Sequence, residues 1–143
     1  MLKGIPTVIS PELMYALMSM GHGDEIVIAD GNFPAASNAQ RLIRTDGLGV
    51  CELLEAIMKF FPLDTFVEDH AVIMEVADPK AEKPPIWAEF KKILDEAEKR
   101  SVQLTPIERH QFYERSRNAY CIIATSETAL YANLILKKGV VIS

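Results

Sequence analysis

The chain has 143 residues, 49% of them hydrophobic, enough for one domain with a packed core and no disulfide or metal staples. Its 20 acidic and 15 basic side chains leave a net charge of −5, and the densest basic groups (Arg109, Arg115, Arg117, Lys137, Lys138) sit among acidic ones, which argues against a nucleic-acid partner. No apolar run approaches the ~20 residues that span a bilayer, residues 1–4 lack the apolar stretch of a secretory signal, and Cys51 and Cys121 lie far apart in apolar runs. The expectation is a cytoplasmic protein with two free buried thiols and no membrane partner.

Ser10-Pro11-Glu12 opens the first predicted helix. Serine can cap, proline suits the first helical position, and glutamate complements the positive end. Leu13, Leu17 and Met20 then form one apolar stripe, and Gly21 stops it. Residues 25–30 read as a buried strand ending in Asp30, and 31–38 as a loop by their Gly, Asn, Pro and Ser content. A second helix is predicted from Asp46-Gly47 through Leu53, Leu54, Ile57 and Phe61, with Pro62 ending it. Residues 71–77 read as a strand and 78–85 as a charged surface loop. Pro85 starts a third helix through Trp87, Phe90, Leu94 and Ala97, its outer face carrying Lys91, Lys92, Asp95, Glu96, Glu98 and Lys99. Residues 108–118 look helical and 120–125 extended. Residues 133–136 form a further strand, continued after a turn by 139–142. Helices alternating with short apolar strands predict an α/β fold, with helices on both faces of one sheet.

Gly21-His22-Gly23 is the most informative stretch. Flanking glycines leave the histidine ring little cover, and its ordinary pKa of roughly 6.5 suits proton transfer near neutrality. The glycines have a second reading, a helix stop and a turn. They are not a dinucleotide fingerprint, because the third glycine is missing and the turn runs from helix to strand. Asp30, at the tip of an apolar strand, reads either as a turn aspartate bonded to its own loop or as a hydroxyl-binding carboxylate. Asp24 and Glu25 read as ordinary turn charges. Arg109, Tyr113 and Arg117 share a helix face at i, i+4 and i+8, and Phe112 reads as core. Tyr131 and Asn133, before the last strand, are able to bond sugar hydroxyls or to serve as turn and packing residues. His22, His70 and His110 have no spacing for a metal, and there is no nucleophile elbow or phosphate loop. The chemistry left is acid–base work by one histidine on a small polar molecule, without cofactor or metal.

Several blocks together resemble the RbsD/FucU family of sugar mutarotases. They are residues 2–5, 10–13, 20–27, Ala29-Asp30, 33–35, Arg44-Thr45-Asp46-Gly47, Phe112-Tyr113-Glu114-Arg115 and the run from Tyr131 to Val140. The resemblance covers essentially the whole chain and implies one domain over 1–143, a three-layer α/β/α sandwich. It implies cofactor-independent interconversion of sugar anomers. The family's catalytic histidine falls on His22. Its sugar-binding aspartate falls on Asp30, its arginine on Arg109, and its Tyr-Gly-Asn triplet on Tyr131, Ala132 and Asn133. Ala132 departs from that triplet, and Asn32 and Ala36 stand where some members carry histidines. Arg109 and the 112–115 run favour the branch acting on L-fucose over the branch acting on D-ribose; a sugar-binding protein without catalysis is the remaining alternative. The resemblance also implies ring-like homo-oligomers, commonly decamers, with the site shared between subunits: the Tyr131/Asn133 segment of one would reach the His22/Asp30 site of its neighbour.

Overall fold

The computed structural model describes residues 1–143. Its elements are α1 (Pro11–Ser19), β1 (Glu25–Ala29), α2 (Ala35–Asn38), β2 (Leu42–Thr45), α3 (Val50–Ile57), β3 (Ala71–Met74), α4 (Ile86–Glu98), β4 (Thr105–Ile107), α5 (Arg109–Asn118), β5 (Cys121–Thr125) and β6 (Leu134–Lys137). They form one six-stranded sheet in the order β2-β5-β1-β6-β3-β4. β6 runs antiparallel to both β1 and β3, and the other pairings are parallel. The carboxyl ends of β1 to β5 and the amino end of β6 therefore share one edge of the sheet.

Alternation along the strands accounts for the layers. Ile26 and Ile28 of β1, Cys121 and Ile123 of β5, and Leu134 and Leu136 of β6 face a core completed by Leu13 and Leu17 of α1, Leu53, Leu54 and Ile57 of α3, and Phe90 and Leu94 of α4. Val27, Ala29, Ile122, Ala124 and Ile135 face the other way, against Ala35 of α2 and Phe112 of α5. Strands buried on both faces read as continuous apolar runs, as β1, β3 and β5 do.

The first helix follows its sequence: Ser10 Oγ accepts the Leu13 N–H at 3.1 Å, with Pro11 at the first helical position. Four expectations change. The loop at 31–38 contains the short α2. The second helix starts at Val50, because Gly47 adopts φ +88° in a turn closed by Leu48 N–H on the Thr45 carbonyl. The strand predicted over 71–77 stops at Met74, after which Glu75 N–H bonds the Ile107 carbonyl. Residues 139–142 do not extend β6 as a strand; Gly139 is buried against residues 62–64, and 140–142 form an irregular exposed tail. Two strands were not anticipated, β2 and β4, and both are sheet edges.

Candidate functional site

The predicted residues lie at opposite edges of the sheet. His22 precedes β1, and Asp30 follows it. Gly23, at φ +87°, turns the chain, and its N–H bonds the Lys138 carbonyl at 2.8 Å while Lys138 N–H returns to the Asp24 carbonyl at 2.8 Å. Asp24 Oδ2 accepts the Gly21 N–H at 2.7 Å, a turn role as expected. The turn is clipped to the chain leaving β6, and the His22 side chain stays 46% exposed.

Its partner is Asp64, 42 residues away. Asp64 Oδ1 lies 3.2 Å from His22 Nε2 and also accepts the Phe66 N–H at 3.0 Å. The Asp64 side chain is 5% exposed. Burial pushes its carboxyl up, but the Phe66 N–H, the His22 ring and Lys137 outweigh that and hold it below the usual carboxylate range. Asp64 is fixed because residues 62–64 zip against 137–139: Asp64 N–H bonds the Lys137 carbonyl and Gly139 N–H the Pro62 carbonyl. Only glycine fits at 139, where a Cβ would stand 2.5 Å from the Leu63 carbonyl oxygen. The exposed Phe66 ring lies 5.4 Å from the His22 ring at 54° and forms an apolar wall beside it.

Glu25, read from sequence as a turn charge, is instead an anchor for this edge. Arg115 of α5 forks onto it at 3.0, 3.0 and 2.6 Å and reaches Asp69 Oδ2 at 2.9 Å. Burial disfavours the Arg115 charge, and the two carboxylates more than restore it.

At the other edge, Asp30 is buried and cross-bonded. Asn133 Nδ2 donates to Asp30 Oδ2 at 3.1 Å, Asp30 N–H donates to Asn133 Oδ1 at 2.8 Å, and Asn32 N–H donates to Asp30 Oδ1 at 3.0 Å. Both readings of Asp30 thus meet: it turns its own loop, and it borders a recess of about 310 Å³ with Phe33, Ser37, Arg44 and Thr125. Tyr131, in the left-handed region at φ +55°, and Arg109 line a larger recess of about 1350 Å³ with Trp87, Glu108 and Lys83. The Arg109 guanidinium lies 5.5 Å from the centre of the Tyr113 ring, which leans on Phe33 at 5.6 Å. Ala132 is fully buried in the core, so its side chain offers nothing to a ligand.

The chain thus brings together Asp30, Asn133, Tyr131 and Arg109 on one edge and leaves His22 on the other. This corrects the expected division: Asn133 holds Asp30 within the same chain, and His22 is the residue set apart. Sequence reasoning missed Asp64, Phe66 and Trp87. No local pattern marks a histidine's partner 42 residues away. No three His, Cys, Asp or Glu side chains gather as a metal set, and no helix is long and apolar enough to cross a membrane.

Fold and site together define a small α/β protein with an exposed histidine on a buried aspartate and, at the far edge, two recesses, one bordered by Asp30 and Phe33 and one lined by Arg109, Trp87 and Tyr131. The chain belongs to the RbsD / FucU transport protein family, whose model matches residues 3–141. It is 53% identical to the fucose mutarotase of Homo sapiens, over 97% of this chain and 94% of that one. The crystal structure of the fucose mutarotase of Streptococcus pneumoniae in complex with L-fucose superposes with a TM-score of 0.93 at 48% identity, covering 99% of this chain and 100% of that one. Bacillus subtilis RbsD complexed with D-ribose shares the fold at 24% identity, with a TM-score of 0.72 over 99% of this chain and all of that one.

Proposed function

We propose that this protein, as one domain over residues 1–143, is a mutarotase that interconverts the α and β anomers of L-fucose. The chemistry rests on one observation, the exposed His22 ring seated on the buried Asp64 carboxylate. The sugar rests on the near full-length likeness to fucose mutarotases, against the far weaker likeness to the ribose protein.

Ring opening transfers the proton on O1 to a base, Asp30 or water, and breaks the C1–O5 bond. The electron pair goes to O5, which takes a proton, and C1 becomes an aldehyde. Rotation about C1–C2 and the reverse steps close the other anomer. His22, held by Asp64 through Nε2, is the group that donates to O5, and the pairing leaves Nδ1 free for that transfer. Asp30, steadied by Asn133, accepts from sugar hydroxyls, while Tyr131 and Arg109 donate to them, and Arg109 also offsets negative charge as the ring opens.

One chain does not complete this site. The five residues of β1 between His22 and Asp30, at ~3.3 Å each, hold the two edges roughly 16 Å apart, farther than one monosaccharide reaches. The working unit is therefore a homo-oligomer in which His22 of one subunit meets the Asp30, Arg109, Tyr131 and Asn133 group of the next. Joining opposite edges is a heterologous contact, and such contacts close into rings; a decamer of stacked rings fits the family. Exposed Met18, Phe60, Phe66, Val141 and Ile142 flank the His22 edge in the chain and supply apolar surface for the contact. The two free cysteines suit a reducing cytoplasm.

The test is proton magnetisation transfer between the anomeric signals of L-fucose at equilibrium, with D-ribose in parallel. Faster exchange of fucose, lost in His22→Ala, supports the reading. Acceleration of ribose alone reassigns the substrate, and binding without acceleration leaves a sugar-binding protein.

A further inference from the structure

Tyr131 carries a backbone conformation that bulky residues rarely adopt, φ +55°. Such a residue persists only where its surroundings over-determine it. Here two donors do so. The Trp87 indole Nε1–H donates to the Tyr131 carbonyl at 3.0 Å, and the Ala77 N–H donates to the Tyr131 phenol oxygen at 3.3 Å. Both come from the segment that joins β3 to the first turn of α4. That segment is itself tied down, by Glu75 N–H on the Ile107 carbonyl at one end and Trp87 N–H on the Pro84 carbonyl at the other.

The arrangement has a chemical consequence. A phenol oxygen that accepts a backbone N–H keeps its own proton free to donate elsewhere. Tyr131 lines the larger recess beside Arg109, so that proton faces the recess. Two residues further on, Asn133 holds Asp30. One indole contact therefore fixes the start of the segment that carries the sugar-binding groups.

We infer that Trp87 is a positioning residue: with Ala77 it clamps Tyr131 in its left-handed conformation, and through that clamp it sets the affinity for the sugar. The inference rests on the proposed role of Tyr131 in binding the sugar. Trp87 takes no part in the proton transfers, so the clamp acts on KM rather than kcat.

Trp87→Phe keeps an aromatic ring and removes only the N–H. Loss of one neutral hydrogen bond corresponds to roughly 2–10-fold in affinity. The expected result is a folded protein whose KM for L-fucose in anomer exchange rises by about that factor, with kcat within about twofold. In a Tyr131→Phe background the same change adds less than about twofold, because the hydroxyl it positions is already gone. Trp87 is the only tryptophan, so its indole N–H gives a single isolated nitrogen–proton NMR signal. Titration with L-fucose shifts that signal in the wild type and shifts it less in Tyr131→Phe. Acceleration by the wild type combined with additive losses in the double variant, a fall confined to kcat, or an indole signal that ignores the sugar overturns the clamp. A wild type that does not accelerate anomer exchange overturns the proposed function instead.

Discussion

The two edges of the sheet solve different problems. At the amino end of β1, His22 stands on a two-glycine turn, nearly half exposed, with one buried carboxylate beneath it. At the carboxyl end, Asp30 and Asn133 are buried and bonded to each other through both side chain and backbone. The group that gains and loses a proton in the proposed mechanism is open and has a single charged partner. The groups proposed to recognise hydroxyls are locked, and a hydroxyl-binding carboxylate gains from fixed geometry and loses by moving. A protein that kept both functions on one edge would have to compromise between the two; in the proposed assembly, the open edge of one copy meets the locked edge of the next.

Removing His22 has the largest expected effect. His22→Ala leaves the fold intact, because the ring is exposed and the turn is held by backbone bonds, and it abolishes the acceleration, typically ~10²–10⁴-fold for a general acid. Unchanged anomer exchange in a protein with wild-type circular dichroism would strip the open edge of its role. The sharing of the site is tested by mixing. Arg109→Ala spoils the locked edge and His22→Ala the open one. Co-expressed in equal amounts, the two variants would give, in the proposed assembly, about one quarter of contacts that pair two intact edges. Activity at low sugar should recover toward that fraction of wild type. A mixture no better than the sum of its parts would return both edges to a single chain.

Asp64→Asn has a smaller effect. The amide still accepts the Phe66 N–H, so the loop keeps its shape, but the histidine loses a charge-assisted bond. Such bonds contribute about 1.5–3 kcal/mol, so kcat should fall roughly 10–100-fold with KM little changed. A variant as fast as wild type would make Asp64 a loop anchor only.

The sequence told these edges apart unevenly. The central strands β1 and β5 are continuous apolar runs, and Ser10, Pro11 and Gly21 bound α1 by local chemistry; all were legible. The edge strands were not. β2 pairs on one side only and alternates exposed and buried residues over just four positions, and β4 carries Pro106. His22 and Asp30 were readable as candidates because a glycine turn and a strand tip are local features. Their separation by one strand length follows from the predicted strand between them. What was not legible is that Asn133 meets Asp30, which depends on the antiparallel direction of β6, and that Asp64 meets His22, which depends on the seating of residues 62–64 against 137–139. The Arg115 anchor on Glu25 was hidden for the same reason, being a contact across 90 residues.

The mildest expected effect is on acid stability, and it separates a carboxylate of the open edge from a structural one. Asp64 beneath His22 and Asp95 at the end of α4 are both held below the usual carboxylate range. For Asp95 the Val102 N–H is the largest cause, with Lys91 and Arg100 adding to it against burial. A depressed carboxyl binds fewer protons in the folded chain than in the unfolded one, so stability rises with pH through that window. The contribution is complete above about pH 5 and is lost as pH falls below the ordinary value of 3.8 toward the folded one. Tm measured from pH 7 to pH 3 should therefore fall, and Asp64→Asn should shrink that fall by on the order of 2–4 °C for each ~1 kcal/mol the carboxylate contributes. Asp95→Asn should shrink it too while leaving anomer exchange untouched, because the side-chain bonds of Asp95 go to Lys91 and Val102 and none reaches His22, Asp30, Arg109, Tyr131 or Asn133. If Asp64→Asn altered activity but not the acid limb, the carboxylate would act on the His22 ring alone, and the stability of the open edge would rest on the Arg115 fork and the backbone zipper at Gly139.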